Sequence, residues 1–176
     1  RNPVRVVREC EVNRYSIPVG VVVEQRDIDS IWQDHAYRPI AVIPHAARQS
    51  GWRKLQAGRG WVHFHASTLL LELHRGETEG YRYNLSQPIP SVYVVLRPGE
   101  SSDENEVEPF HVTVCPYEAM GYAESGDEIV EAVVMPDEMV SWVQGFIDAY
   151  HVEVPFRKRK NKKHKDRPRD RRLDRP

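Results

Sequence analysis

Residues 61–98 read WVHFHASTLLLELHRGETEGYRYNLSQPIPSVYVVLRP, and the fold prediction starts from this stretch. Four short apolar runs, at 61–66, 69–74, 80–85 and 91–97, are separated by Ser67-Thr68, by 75–79 and by 86–90. Runs of this length that are rich in Val, Leu, Tyr and Phe and divided by small, polar or Pro-containing links are typical of antiparallel strands. The stretch therefore predicts an antiparallel meander.

The first two runs of this meander predict a core face and a polar face. A turn at Ser67-Thr68 pairs His63 with Glu72, and successive side chains of a strand point to opposite faces. The core face then carries Val62, Phe64, Leu71 and Leu73, and the polar face carries His63, His65, Glu72 and His74. A second hairpin through 75–79 places Arg82 beside Glu72, so the polar face gains a row His63–Glu72–Arg82.

Shorter patterns on either side of the meander predict further strands and two helices. Strands are expected at 17–25, 38–44, 52–56, 109–115 and 128–134, with Trp32 and Tyr37 as packing anchors between the first two. In the strand at 109–115, Phe110, Val112 and Val114 are expected to face inward, and His111 and Thr113 outward. A short helix is expected to start at Pro116, and an amphipathic helix to cover 136–150 with an apolar stripe of Met139, Val143, Phe146, Ile147 and Tyr150. The predicted fold class is β-rich α+β: an antiparallel, barrel-like sheet of roughly seven to nine strands closed by the C-terminal helix.

Charge divides the chain into parts. Residues 157–176 contain 12 Lys or Arg and 3 Asp, a net charge of +9, whereas the other residues contain 13 basic and 23 acidic side chains, a net charge of −10. The C-terminal stretch has too little apolar surface to offset the entropy cost of ordering. We therefore expect an N-terminal extension at 1–16, a single β-rich domain at 17–156 and a disordered basic tail at 157–176.

Hydropathy and cysteine content exclude several classes of protein. The longest apolar run falls far short of the roughly 20 residues that cross a bilayer, and no apolar segment of a signal peptide follows the charged N-terminus. Two cysteines, Cys10 and Cys115, form neither a disulfide framework nor a CxxC motif. The sequence therefore predicts a cytoplasmic protein with no membrane insertion.

The histidines of the polar face have two interpretations. His63 and His65 are two residues apart on one predicted strand, a spacing that metal sites use, and Glu72 and His74 would complete a ligand set. The Glu and Gly spacing of the best-known β-barrel metal motif is absent. A solvated or partner-contacting face is therefore favoured over a metal site, and no cofactor is predicted.

The common motifs of catalysis are absent from the sequence. It contains no GxSxG elbow, P-loop, GxGxxG or HExxH pattern. The carboxylates of Glu72, Glu77 and Glu79 lie near Arg75 and Arg82, where ion pairing keeps them ionised. A non-catalytic protein is therefore favoured over an enzyme.

The basic tail has three interpretations. It is a nucleic-acid-binding arm that contacts phosphates, a docking arm for an acidic partner, or a solubilising terminus. It lacks aromatic residues for base stacking and the rest of the chain is acidic, which weighs against nucleic acid. All three interpretations stay open.

Motifs along the chain carry a resemblance to a protein family. They include PVGVVVEQR at 18–26, LHR at 73–75, ETE at 77–79, NLSQ at 84–87, PYEA at 116–119 and HV at 151–152. From about Pro18 to Arg159, the chain resembles a family of uncharacterised bacterial proteins that are typically encoded beside genes for molybdenum-dependent formate dehydrogenase and its maturation factors. Some members carry the label molybdopterin-guanine dinucleotide biosynthesis protein A, although the Gly-rich nucleotide-binding opening of such a transferase is absent here.

The resemblance implies an accessory or adaptor protein for the assembly or regulation of formate dehydrogenase, with one of its subunits or maturation factors as partner. It brings no catalytic residues. The candidate contact residues lie on the predicted polar face and second hairpin: His63, His65, Glu72, His74, Arg75, Glu77, Glu79, Arg82 and Asn84. One alternative is a metal- or cofactor-handling protein, related to the molybdenum cofactor, that uses the His- and Glu-lined face. The other is nucleic-acid binding through the tail.

Overall fold

The computed structural model describes residues 15–49, 51–99, 107–155 and 157. Its elements are β1 (Ser16–Asp27), β2 (His35–Pro44), β3 (Arg53–Gly58), β4 (Trp61–Glu72), a 3-10 turn (Arg75–Glu77), α1 (Thr78–Leu85), β5 (Ser91–Pro98), β6 (Val107–Thr113), α2 (Pro116–Ser125), β7 (Ile129–Val134) and α3 (Asp137–Tyr150). Residues 1–14, 50, 100–106, 156 and 158–176 lie outside the described part. The predictions for the N-terminal extension and the basic tail therefore stay predictions.

The β-rich α+β class is confirmed, but the predicted barrel is wrong. In the described residues the strands form two antiparallel sheets, with the orders β2-β1-β4-β3 and β6-β5-β7, and neither closes on itself. One core cluster joins both sheets to α3: it includes Val19, Val21 and Val23 of β1, Val92 and Val94 of β5, and Met139, Val143, Phe146 and Ile147 of α3. The predicted apolar stripe of α3 is therefore buried, with Tyr150 packed against the cluster. No helix among the described residues is long and apolar enough to span a membrane.

The predicted hairpin at Ser67-Thr68 is wrong, because β4 runs straight through these residues. β4 pairs with β1 along its whole length, from Ser16 opposite Glu72 to Arg26 opposite Trp61, and its first half also pairs with β3. A two-residue hairpin turn favours residues that adopt positive φ, such as Asn-Gly, and Ser-Thr does not supply them. The twelve residues of β1 instead offer β4 a continuous ladder.

The continuous strand removes the predicted row His63–Glu72–Arg82. His63 and Glu72 lie nine residues apart on one strand, a separation of about 30 Å at roughly 3.3 Å per residue. Arg82 belongs to a helix rather than to a neighbouring strand. These three side chains therefore do not form one polar surface.

A β-bulge at Ala66 nevertheless produces the predicted core face. Val21 lies opposite Ser67 and Val22 opposite His65, so Ala66 has no partner on β1, and the alternation of β4 shifts there by one residue. Consequently Phe64 before the bulge and Leu71 after it both lie opposite core residues of β1, which are Val23 and Ile17. Leu71 and Leu73 are core residues as predicted, whereas Phe64 and Val62 are only partly buried and lie outside the core cluster. The core face is therefore confirmed in part, and a bulge rather than a turn is its cause.

The third predicted strand of the meander is a helix. Thr78, Tyr81 and Asn84 recur every three residues and form the buried side of α1 together with Gly80. The strand prediction for 80–85 rested on a short apolar run between polar links. Two of the buried residues are polar, so the helical period is not visible in hydrophobicity alone.

Most other predicted elements are confirmed. β1, β2, β3, β6 and β7 occur where strands were expected, and α2 starts at Pro116 as predicted. Tyr37 is buried, but Trp32 is 87% exposed, so its prediction as a packing anchor is wrong. The loop that contains Trp32 projects beyond the sheet instead of crossing it.

Two side chains of β6 also differ from prediction. Phe110 has no partner on β5, because the register passes from His111 to Pro109, and this bulge leaves its ring partly exposed beneath the guanidinium of Arg97. Thr113 points away from the core as predicted, but α2 covers it: its hydroxyl donates to Glu118 of α2 at 2.6 Å, and the residue is buried. Both differences follow from contacts with other elements, β5 for Phe110 and α2 for Thr113, which alternation within β6 does not show.

Candidate functional site

The candidate contact residues occupy three separate regions. His63 and His65 lie on the first sheet, Asn84 lies in the core, and the others lie around the end of β4 and the length of α1. The candidate contact residues, predicted to share one surface, therefore do not form a single surface in the structure.

The outer face of the first sheet carries a charged cluster centred on Glu24. The strand register places Glu24 between Arg38 on β2 and His63 on β4. Its carboxylate accepts hydrogen bonds from Arg26 Nε at 3.0 Å and from His63 Nε2 at 2.9 Å, and Arg38 Nη2 lies 3.9 Å away. Glu24 is only 8% exposed although it faces away from the core.

These contacts favour the ionised form of Glu24. The hydrogen bonds from Arg26 and then from His63 lower the pKa of Glu24. The His63 ring in turn lies against Trp61, with 4.4 Å between ring centroids. A cavity of about 400 Å³ adjoins the cluster and is lined by Glu24, Arg26, Ala36 and Arg38. Two arginines beside a cavity suit an anionic group, because guanidinium donors match carboxylate and phosphate oxygens.

His65 is a buried structural residue. Thr68 Oγ1 donates to the carbonyl of Ala47 at 2.8 Å, so the 3.0 Å contact between His65 Nε2 and Thr68 Oγ1 requires the imidazole to donate. Nδ1 is then an acceptor, and it is buried with no hydrogen-bond partner among the described residues. Burial, with a contribution from the Arg53 charge, lowers the pKa of His65. The ring therefore remains neutral in the fold, and it is not available to a ligand.

Asn84 clamps three segments together inside the core. Its side-chain amide donates to the carbonyls of Ser91 at 2.7 Å and Val114 at 2.8 Å, and its Oδ1 accepts the backbone N–H of Ser91 at 2.9 Å. All polar atoms of the side chain are thereby used to join α1 to β5 and to the end of β6. Asn84 is therefore a structural residue rather than a contact residue.

The start of α1 uses Glu77 and His74 for local hydrogen bonds. The buried Tyr81 hydroxyl donates to Glu77 at 2.8 Å and accepts the backbone N–H of His74 at 2.9 Å. Burial raises the pKa of Tyr81, which keeps the phenol protonated. Arg75 places its guanidinium 4.1 Å from the ring centre of Tyr150 on α3. The imidazole of His74 and the carboxylates of Glu72 and Glu79 belong to exposed residues.

Arg82 lines a groove between α1 and α3, here called the α1–α3 groove. The groove has a volume of about 550 Å³ and is lined by Arg82, Leu85, Ser86, Gln144, Ile147, Asp148, His151 and Glu153. Arg82 Nη1 lies 2.6 Å from His151 Nε2, and its Nη2 lies 3.6 Å from Glu153. The groove therefore presents a cation, two carboxylates and an amide at the junction of two helices.

The hydrogen bonds of His151 fix its tautomer. Thr78 Oγ1 donates to the carbonyl of Arg75 at 3.3 Å, so His151 Nδ1 donates to Thr78 across their 3.0 Å contact. Since guanidinium groups only donate, His151 Nε2 accepts from Arg82. The neutral imidazole thus connects the first turn of α1 to the segment that follows α3.

The described residues do not supply the ligand set that the predicted metal alternative requires. No group of three or more His, Cys, Asp or Glu side chains is placed to hold a metal ion there. His63 is bonded to Glu24, His65 is buried against Thr68, and His74 lies beyond the far end of β4.

Comparison with family models places the chain in a family. The model described as Protein of unknown function (DUF3305) matches residues 18–160. The chain belongs to the DUF3305 family. The match covers almost the same span as the resemblance from Pro18 to Arg159. Neither the search of curated proteins nor the search of solved structures found a match for this DUF3305 protein.

Sequence reasoning missed several polar residues of this DUF3305 protein. Glu24 interrupts a Val run on β1, and a charge there could have indicated a strand face covered by partners from other strands. Arg26 and Arg38 join it only through the register of β1 and β2. His151 had no local signal, because its partners Thr78 and Arg82 lie about 70 residues earlier: the separations are 73 and 69 residues.

Proposed function

We propose that this DUF3305 protein is a non-catalytic cytoplasmic accessory protein that binds a subunit or a maturation factor of a molybdenum-dependent formate dehydrogenase. The sequence resemblance supports the identity of the partner. The α1–α3 groove supports the place of contact, because the predicted contact residue Arg82 lies in an open, concave surface.

The composition of the groove favours a protein partner over an apolar small molecule. Arg82, Gln144, Asp148 and Glu153 supply donors and acceptors of both charge signs. Small-molecule pockets are mostly apolar with few polar groups, whereas protein interfaces tolerate charged and hydrated rims. Arginine is also one of the residues that most often contribute strongly to interface affinity. Arg82 is therefore the residue whose replacement should weaken binding most.

A binding assay tests this proposal. Immobilised wild-type protein should capture purified formate dehydrogenase or one of its maturation factors from the same host, and Arg82→Glu should weaken the affinity about tenfold or more. Arg59→Glu is the matched control, since Arg59 is an exposed arginine in the turn between β3 and β4. Absence of binding by the wild-type protein to every subunit and maturation factor would refute the proposal.

A second candidate function is the handling of an anionic cofactor at the Glu24 cluster. The observation that favours it is the placement of Arg26 and Arg38 beside a cavity of about 400 Å³ on the sheet face. Phosphate-bearing cofactors present oxygens that guanidinium groups bind well. Calorimetric titration with such a cofactor should show binding that Arg38→Ser reduces and Arg59→Ser does not, and the absence of heat would refute this candidate.

A further inference from the structure

The loop between β1 and β2 exposes two large apolar side chains at the tip of a hairpin. Ile31 is 90% exposed and Trp32 is 87% exposed, and the nearby Ile28 is also exposed. Single exposed apolar residues are common on protein surfaces, but adjacent ones of this size concentrate apolar area in one place. Tryptophan is moreover the residue type most enriched among residues that dominate protein–protein affinity.

The tip is held in shape by backbone hydrogen bonds. Ile28 N donates to the carbonyl of Asp34 at 3.2 Å and closes the loop, and Asp27 N donates to the carbonyl of Gly60 at 2.9 Å. The second bond ties the base of the tip to the turn between β3 and β4. Trp32 N also donates to Ser30 Oγ at 3.2 Å. A side chain presented on an ordered loop loses less conformational entropy on binding than one on a flexible segment.

The charged residues within the tip are all acidic, whereas exposed arginines, Arg26 and Arg59, lie at its base. Residues 27–34 contain Asp27, Asp29 and Asp34 and no Lys or Arg, and all of these residues are exposed. Asp27 Oδ1 lies 3.0 Å from His35 Nδ1 at the base of the tip, and Asp29 and Asp34 lie closer in sequence to the apolar pair. The tip therefore combines an apolar centre with an acidic rim. Its complement is an apolar pocket with a basic rim.

We propose that the tip formed by residues 28–34 is an anchor that inserts Trp32 and Ile31 into an apolar pocket, rimmed by Lys or Arg, on a protein partner. The inference rests on the proposed function in one respect: the same accessory protein would use the tip as a second contact, separate from the α1–α3 groove. Attraction to the basic rim weakens as salt screens the exposed charges.

Site-specific photo-crosslinking in the native host tests the anchor without assuming the partner's identity. A photoreactive amino acid is placed at Gln33 in the tip, at Gln144 in the α1–α3 groove and at Glu131 on β7 as an exposed control. Position 33 should give a covalent adduct with one protein, and Trp32→Ser in the same chain should remove it. An adduct level at position 33 no higher than at position 131 overturns the inference.

The identity of the adduct separates the two proposals. An adduct with a formate dehydrogenase subunit or maturation factor at position 33 supports both. At position 144, an adduct with a formate dehydrogenase subunit or maturation factor supports the proposed function, and an adduct level no higher than at position 131 contradicts it. An adduct with an unrelated protein at position 33 supports the anchor if the purified partner then binds the wild-type chain, and failure of that binding overturns the anchor. In that assay Trp32→Ser should weaken binding about 30-fold or more, and Asp29→Lys should remove its salt dependence. Ile89→Ser, at another exposed isoleucine, should leave the affinity unchanged.

Discussion

Arg82 of α1 donates to His151 across a distance of 2.6 Å, although 69 residues separate them in the chain. This bond and the His151–Thr78 contact hold the segment after α3 against α1 and form one wall of the α1–α3 groove. The polar groups of the groove are therefore placed by the fold rather than by one local motif.

Replacement of Arg82 should separate binding from stability. Arg82 is exposed, and both its bond to His151 and its ion pair with Glu153 are open to solvent, while His151 keeps its contact with Thr78. Arg82→Ala should therefore change the free energy of unfolding by less than about 1 kcal/mol. Its affinity for the partner should nevertheless fall. Urea denaturation together with the binding assay checks this pair of results. A stability loss large enough to unfold the protein would show that Arg82 is structural.

Replacement of Gly20 should destabilise the first sheet. A Cβ at this position would lie 2.8 Å from His65 Nε2 and 2.9 Å from Ala46 Cβ, and the His65 ring is held by Thr68. Gly20→Ala should therefore lower the free energy of unfolding by about 1–3 kcal/mol, as overpacking does elsewhere. Gly121→Ala is the control: no atom lies within 4 Å of its added Cβ, and alanine favours the helix there. Equal stability of the two variants in urea would contradict the close packing of His65 on Gly20.

Removal of the Asn84 side-chain hydrogen bonds should lower the free energy of unfolding. Asn84→Ala leaves the N–H and carbonyl of Ser91 and the carbonyl of Val114 without their side-chain partner. Buried groups left unsatisfied should lower the free energy of unfolding by roughly 2–4 kcal/mol. Asn84→Asp keeps the shape but places a carboxylate against two carbonyls, so it should be at least as harmful. Chemical denaturation that showed Asn84→Asp to be neutral would exclude the clamp.

His65 should make stability depend on pH. Burial lowers its pKa in the folded protein below the ordinary value of 6.5, so the unfolded chain binds the proton first as the pH falls. The stabilisation is present above about pH 6.5 and is lost as the pH falls towards and through the folded pKa, with a slope of at most about 1.4 kcal/mol per pH unit. His65→Gln retains a donor for Thr68 but does not titrate. Denaturation curves between about pH 5 and pH 7.5 should therefore show a flatter pH dependence for this variant, and parallel curves would contradict a neutral buried His65.

Local patterns in the sequence were sufficient to predict the fold class, most strand positions and the amphipathic helix α3. They failed where distant pairing decides the structure. Ser67-Thr68 resembled a link between strands, but the long ladder with β1 keeps β4 straight. The buried face of α1 depends on Asn84, whose partners in β5 and β6 are not visible in the local sequence.

The candidate site shows the same limit. Arg82 was predicted from its polar surroundings, but its partners His151 and Glu153 come from the other end of the domain. Trp32 was expected to pack because aromatic residues usually do, and only the structure places it on an exposed tip. Function-bearing surface residues of this kind lack the periodicity that identifies core positions.

Formate dehydrogenase activity in host cells that lack this protein tests its proposed accessory role most directly. The amount of assembled, active enzyme should fall on deletion, and it should return with the wild-type chain or Arg59→Glu but not with Arg82→Glu. Unchanged activity and assembly of formate dehydrogenase after deletion would rule out the accessory role.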